Sequence, residues 1–129
     1  MSKDKSYVHF KNGLIDSASN DGMEILGYFL ISQVGADTPF FTKWLKDGRD
    51  NSISSSSYFV EKKGNEVYVS NLNEEKFVPF QTTRKKMIDI MHEWSRLCSK
   101  DTNSVCGLRG ISIVITRSDD GTEFEFTRE

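Results

Sequence analysis

Two histidines and two cysteines are the residues best suited to acid–base, nucleophilic or metal chemistry in this chain, so their surroundings come first. His92 opens the segment HEWSR, which begins like a zinc-protease helix, where two histidines one turn apart hold the metal and the glutamate between them acts as base. Arg96 stands where the second histidine is needed, and a zinc site takes three or four converging ligands. No carboxylate lies at a recognised metal spacing from His9 or His92, so no metal is expected, and His92 reads as a half-buried residue flanking an apolar stripe. Cys98 falls near a helix C-terminus, where the dipole disfavours a thiolate, and reads as a core thiol. Cys106 precedes GLRG, Gly107 to Gly110, a loop with two glycines and no positioned base. Neither a G-x-S-x-G elbow nor a phosphate-binding P-loop occurs. The acid pairs of NEEK and SDDG sit in turn-like surroundings, where acids serve solubility. No constellation assembles a nucleophile with a base, so the expectation is a protein that is not an enzyme and needs no cofactor.

One basic run works against local propensity. Arg84, Lys85 and Lys86 crowd the first turn of a helix, where the dipole prefers acids by about 0.3–1 kcal/mol per charge. Such a run with free amides could bind a phosphate or an acidic patch, or it is a solvated face compensated by Asp89 and Glu93. The second reading is preferred. The net charge of −2 provides no basic field for nucleic acid or an anionic membrane, and it suits a basic partner. No apolar run of signal-peptide or membrane-span length appears, which implies a cytoplasmic protein with two ordinary thiols.

The elements that must position these residues follow from pattern and length. At 129 residues a single domain over residues 1–129 is expected, with residues 1–5 disordered. The apolar fraction of 36% is low, and aromatics at 12% offset it because each ring buries a large area. SYVHF reads as a short edge strand ended by Lys11 to Gly13, and SASNDG, Ser17 to Gly22, as a turn. MEILGYFLISQV, Met23 to Val34, is the most apolar stretch and reads as a central strand buried on both faces, with Gly27 marking a bulge or a close backbone approach. Thr38 as cap, Pro39 at the first turn and Gly48 past the end bound a short amphipathic helix, with Phe40, Phe41, Trp44 and Leu45 on one face. SISSSSYFVEKKGNEVYVSNL reads as two strands turning at Lys63-Gly64-Asn65. TTRKKMIDIMHEWSRLCSK is a long helix capped by Thr82 or Thr83, its stripe running through Met87, Ile88, Ile90, Met91, Trp94, Leu97 and Cys98. GISIVITRSDDGTEFEFTRE reads as a hairpin turning at Asp120-Gly121. Ile111, Ile113 and Ile115 meet Phe124 and Phe126 on one face, and Glu123 and Glu125 lie on the wet one.

This order predicts an α+β fold: a single antiparallel sheet of about five or six strands, with a short and a long helix packed mostly on one face.

As a pattern of elements from Met23 to Phe126, the chain resembles the small immunity proteins encoded beside bacterial polymorphic and contact-dependent growth-inhibition toxins. The likeness lies in MEILGYFLISQVGADTPFFTKWL, in KKMIDIMHEWSRLC with its late tryptophan, and in the closing pair ISIVITRSDDGTEFEF. It implies a cytoplasmic protein that binds the C-terminal domain of one cognate toxin, often a nuclease, and covers its active site; the oligomeric state stays open, a monomer being favoured. No catalytic residues are implied. On that reading the acid-bearing loops supply contacts, through Asp47, Asp50, Glu74 and Glu75, and exposed Trp44 or Tyr58 acts as an aromatic anchor. A small acidic adaptor, secretion chaperone or phage-encoded inhibitor is the alternative expectation.

Overall fold

The computed structural model describes residues 6–12, 14–34, 38–47, 49–73, 78–98, 112–118 and 123–128. Residues 1–5, Gly13, Gly48, Glu74 and Glu75, Cys106, the GLRG segment, Ile111 and the turn at Asp120-Gly121 therefore lie outside the described residues, as does the Cys98 side chain.

The described residues form two antiparallel sheets of four strands and not one sheet of five or six. Strands β1 (Ser6–Lys11), β2 (Leu14–Ala18), β7 (Ser112–Arg117) and β8 (Phe124–Arg128) make the first sheet, in the order β2-β1-β7-β8. Strands β3 (Ser52–Ser54), β4 (Tyr58–Lys63), β5 (Glu66–Asn71) and β6 (Phe80–Thr83) make the second, in chain order. β1 is thus an internal strand, paired along one side with β2 and along the other with β7, where an edge strand was expected.

The largest departure is Met23 to Val34. This stretch is α1 (Met23–Phe29) continued by a π-helical turn (Leu30–Val34), and it is not a strand. Met23, Ile25, Leu26, Phe29, Leu30 and Val34 are buried, whereas Glu24, Tyr28 and Ser32, each one turn apart, stay partly or fully exposed. That is a helical stripe wide enough to resemble a strand buried on both faces, an ambiguity inherent in short apolar runs. α1 lies against β1 and β2 of one sheet and β5 and β6 of the other, and α3 (Arg84–Cys98) against β5, β6 and β8. α1 and α3 therefore each contact both sheets, and the helices are not gathered on one side of a single sheet. α2 (Thr38–Asp47) packs on α3.

Alternation explains each sheet's inner face. Val8, Phe10, Ile113 and Ile115 point inward from the first sheet, and Tyr58, Val60, Val67, Val69 and Phe80 from the second. With Met87, Ile90, Met91 and Trp94 of α3 they form one apolar cluster, in which Trp94 stacks at 5.3 Å from Phe10. The Gly64 turn has φ 60° and joins β4 to β5 as expected. Ile115 opposes Phe126 across β7–β8. Thr83 caps α3, its Oγ1 accepting the Lys86 amide at 3.1 Å, while Thr82 is buried within β6. Among the described residues, no helix is long and apolar enough to cross a membrane.

Gly27 does mark a close approach, from a helix. A Cβ there would stand 2.6 Å from Val8 Cγ2 and 2.8 Å from Ile15 Cδ1, so α1 lies almost directly on the β1–β2 hairpin.

Candidate functional site

The residues with reactive potential are scattered. His9 Nδ1 stands 3.2 Å from the Asp16 carboxylate, an ion-pair geometry between neighbouring strands β1 and β2. His92 is exposed on the outer side of α3 rather than half-buried, and Arg96 donates at 3.0 Å to Glu93. Among the described residues no three His, Cys, Asp or Glu side chains are placed to hold a metal ion.

The residues expected to contact a partner also separate. Trp44 and Tyr58 are each only 7% exposed, which overturns their expected exposure as anchors. Tyr58 alternates inward on β4 and packs 5.9 Å from Phe29. Trp44 lies on the buried stripe of α2 with Phe41 and Leu45, and Phe40 is the member of that stripe left 52% exposed. The Trp44 indole donates at 3.0 Å to the Asp50 carbonyl, folding the segment after α2 back onto the helix. Asp47 is exposed at the end of α2, in a groove of about 390 Å³ shared with Lys43, Lys46 and His92.

The C-terminal end of α2 draws in two cations. Arg84 donates to the Leu45 carbonyl from Nε at 3.1 Å and to the Lys46 carbonyl from Nη2 at 3.3 Å. Lys62 Nζ donates to the Trp44 carbonyl at 2.9 Å and lies 4.4 Å from the indole centroid. Burial holds the Lys62 ammonium below its ordinary pKa, reinforced by Arg84 and opposed by Asp50. These are the carbonyls a helix leaves unsatisfied, at the negative end of its dipole. Arg84 is therefore a clamp between α3 and α2. Lys86 pairs with Glu123, just before β8, at 3.1 Å, so Arg84 and Lys86 are held by α2 and Glu123 and not by Asp89 and Glu93.

A second polar knot joins sheet to helix. Asp21 accepts hydrogen bonds from Ser6 Oγ, from Ser19 Oγ at 2.7 Å and from the Met23 amide at 3.4 Å, with Arg117 Nη2 3.6 Å away. Burial works to raise the Asp21 pKa, but these bonds and Arg117 outweigh it and leave the carboxyl below its ordinary value.

The groove between α3 and β8 has a different character. It encloses about 680 Å³ and is walled by Asp89, His92, Glu93 and Arg96 of α3 and by Phe124, Glu125 and Phe126 of β8. Helical spacing places Asp89 and Glu93 one turn apart on the same flank, and strand alternation gives two half-buried phenylalanines with an exposed glutamate between them. Arg96 engages Glu93, while Asp89 and Glu125 form no ion pair among the described residues. The result is a shallow, carboxylate-rich surface with aromatic rings in its floor. Its residues are legible in the sequence as an i, i+4 acid pair and a Glu between two phenylalanines, but only the fold sets them side by side. Comparison with protein-family models, curated proteins and solved structures finds no match for the chain.

Proposed function

We propose that this chain acts by binding another protein, as a cytoplasmic immunity protein that neutralises a cognate bacterial toxin domain. The observation that carries the reading is the α3–β8 groove, where Asp89, Glu93 and Glu125 surround half-buried Phe124 and Phe126. A toxin that acts on nucleic acid needs a basic surface to hold phosphate, and a carboxylate-lined face complements such a surface, raising the association rate and specificity. Aromatic rings beneath the acids supply the apolar area on which affinity depends. Asp47 lines a separate groove with His92, together with Lys43 and Lys46.

Co-expression with the polypeptide encoded immediately upstream tests this. The expected outcome is restored growth and a complex that survives gel filtration. Reversing Asp89 and Glu93 to lysine together weakens that complex tenfold or more, about 1.4 kcal/mol or greater. If neither a complex nor rescue is found, the proposal is wrong.

A further inference from the structure

The edge of β8 defines how a partner segment would be held. In the turn that closes β7–β8 the Ser118 amide donates to the Glu123 carbonyl at 2.9 Å. Antiparallel ladders alternate hydrogen-bonded and non-bonded pairs, and the register places Thr116 opposite Glu125 and Ile115 opposite Phe126. Glu125 and Thr127 therefore turn their backbone groups to β7, and Phe124, Phe126 and Arg128 turn theirs away from it. β8 is the last strand of its sheet, and among the described residues no strand pairs with that outer side. The groove is lined by Phe124 and Phe126 from one face of β8 and by Glu125 from the other, so it runs along this edge with Asp89 and Glu93 above it on α3.

We propose that β8 accepts an extended basic segment of a partner protein as an added strand, hydrogen-bonded through the backbone of Phe124 and Phe126. Asp89 and Glu93 then select lysine or arginine side chains on the α3 side of the incoming strand, and Glu125 selects them on its opposite side. The charges argue against a second copy as occupant, because a second β8 brings its own Glu125 and only one cation, Arg128, to a groove lined by Asp89, Glu93 and Glu125. The other edges are less suited: β3 has three residues and β6 four, against five in β8, and the β6 edge lies beside Arg117 and Lys86, while β2, also of five residues, carries a single acid, Asp16, which pairs with His9. This inference rests on the reading of the chain as a binding protein, and specifies its mode.

The test uses the purified chain and three synthetic ten-residue peptides. One alternates lysine with threonine, one alternates glutamate with threonine, and one repeats the first with every second amide N-methylated. Binding is read by fluorescence anisotropy and by amide hydrogen exchange. With the lysine peptide, exchange at the Phe124 and Phe126 amides slows tenfold or more. The glutamate peptide gives no protection, and N-methylation weakens binding at least tenfold. Glu125→Lys with Asp89→Lys weakens it to a similar extent without altering the melting temperature. Equal binding of the acidic peptide, no binding of the lysine peptide, or protection confined to other strands would each overturn strand addition. So would protection that grows with protein concentration alone, which would assign the edge to a second copy. A toxin complex that leaves Phe124 and Phe126 unprotected overturns this inference only, and peptide binding without rescue from the toxin overturns the proposed function only.

Discussion

At Gly27 two opposing effects have comparable size, and burial decides between them. Alanine ordinarily improves a helix interior by about 1 kcal/mol over glycine. Here the added methyl would meet Val8 Cγ2 at 2.6 Å, and Val8 is fully buried with no room to withdraw. Overpacking of this kind costs about 1–3 kcal/mol. Gly27→Ala is therefore expected to destabilise the protein by up to about 2 kcal/mol in urea unfolding, and an unchanged midpoint would mean that α1 rides outward at little cost. Asp21 yields a prediction in pH. Its folded-state pKa lies below the ordinary 3.8, so as pH falls the unfolded chain takes up the proton first. The stabilisation is fully present above that ordinary value and is lost as pH falls through the folded one. Asp21→Asn should accordingly be less stable than the parent at neutral pH and nearly equal to it at a pH of about 2. Thermal melts at both pH values check this, and a gap that widens in acid would contradict it.

Among the elements, α2 and α3 are joined by packing and by one charged clamp. Arg84 reaches across to the Leu45 and Lys46 carbonyls, and hydrogen bonds that involve a charged group contribute about 1.5–3 kcal/mol. Arg84→Ala is expected to lower stability by about that amount, with faster hydrogen exchange in α2 than in β4 and β5. Uniformly faster exchange would mean that the clamp acts on the whole fold. In the sequence Arg84 shows as one of three cations at a helix start, and nothing there shows that its partner is the end of a helix almost forty residues earlier. The α3 stripe, the Gly64 hairpin and the β7–β8 pair were readable because each is set by local periodicity or turn chemistry. The twelve residues from Met23 read as a strand but form a helix, because both accommodate a nearly continuous apolar run. The spacing of Glu24, Tyr28 and Ser32 was the available signal. Trp44 and Tyr58 read as exposed anchors because their types favour interfaces, but each lies on the inward phase of its own element. The α3–β8 groove was half legible: its acids and rings could be counted, but not brought together.

For the molecule as a whole, two sheets bridged by helices give one continuous core from sheets of very different sequence range. The second sheet draws only on residues 52–83, with neighbours in chain order, whereas the first joins Val8 to Ile115. Pairings between distant residues form slowly because a long loop must close before any contact is gained. Pulse-labelled hydrogen exchange during refolding should therefore find β4 and β5 protected before β1 and β7, and simultaneous protection would refute that order. A related consequence concerns synthesis. A ribosome adds about 5–20 residues each second, so the segment bearing Val8 and Phe10 waits several seconds for the strand that will cover its flank. Throughout that delay the β1–β2 hairpin keeps the β7 side of β1 unpaired, the kind of open edge that chaperones bind.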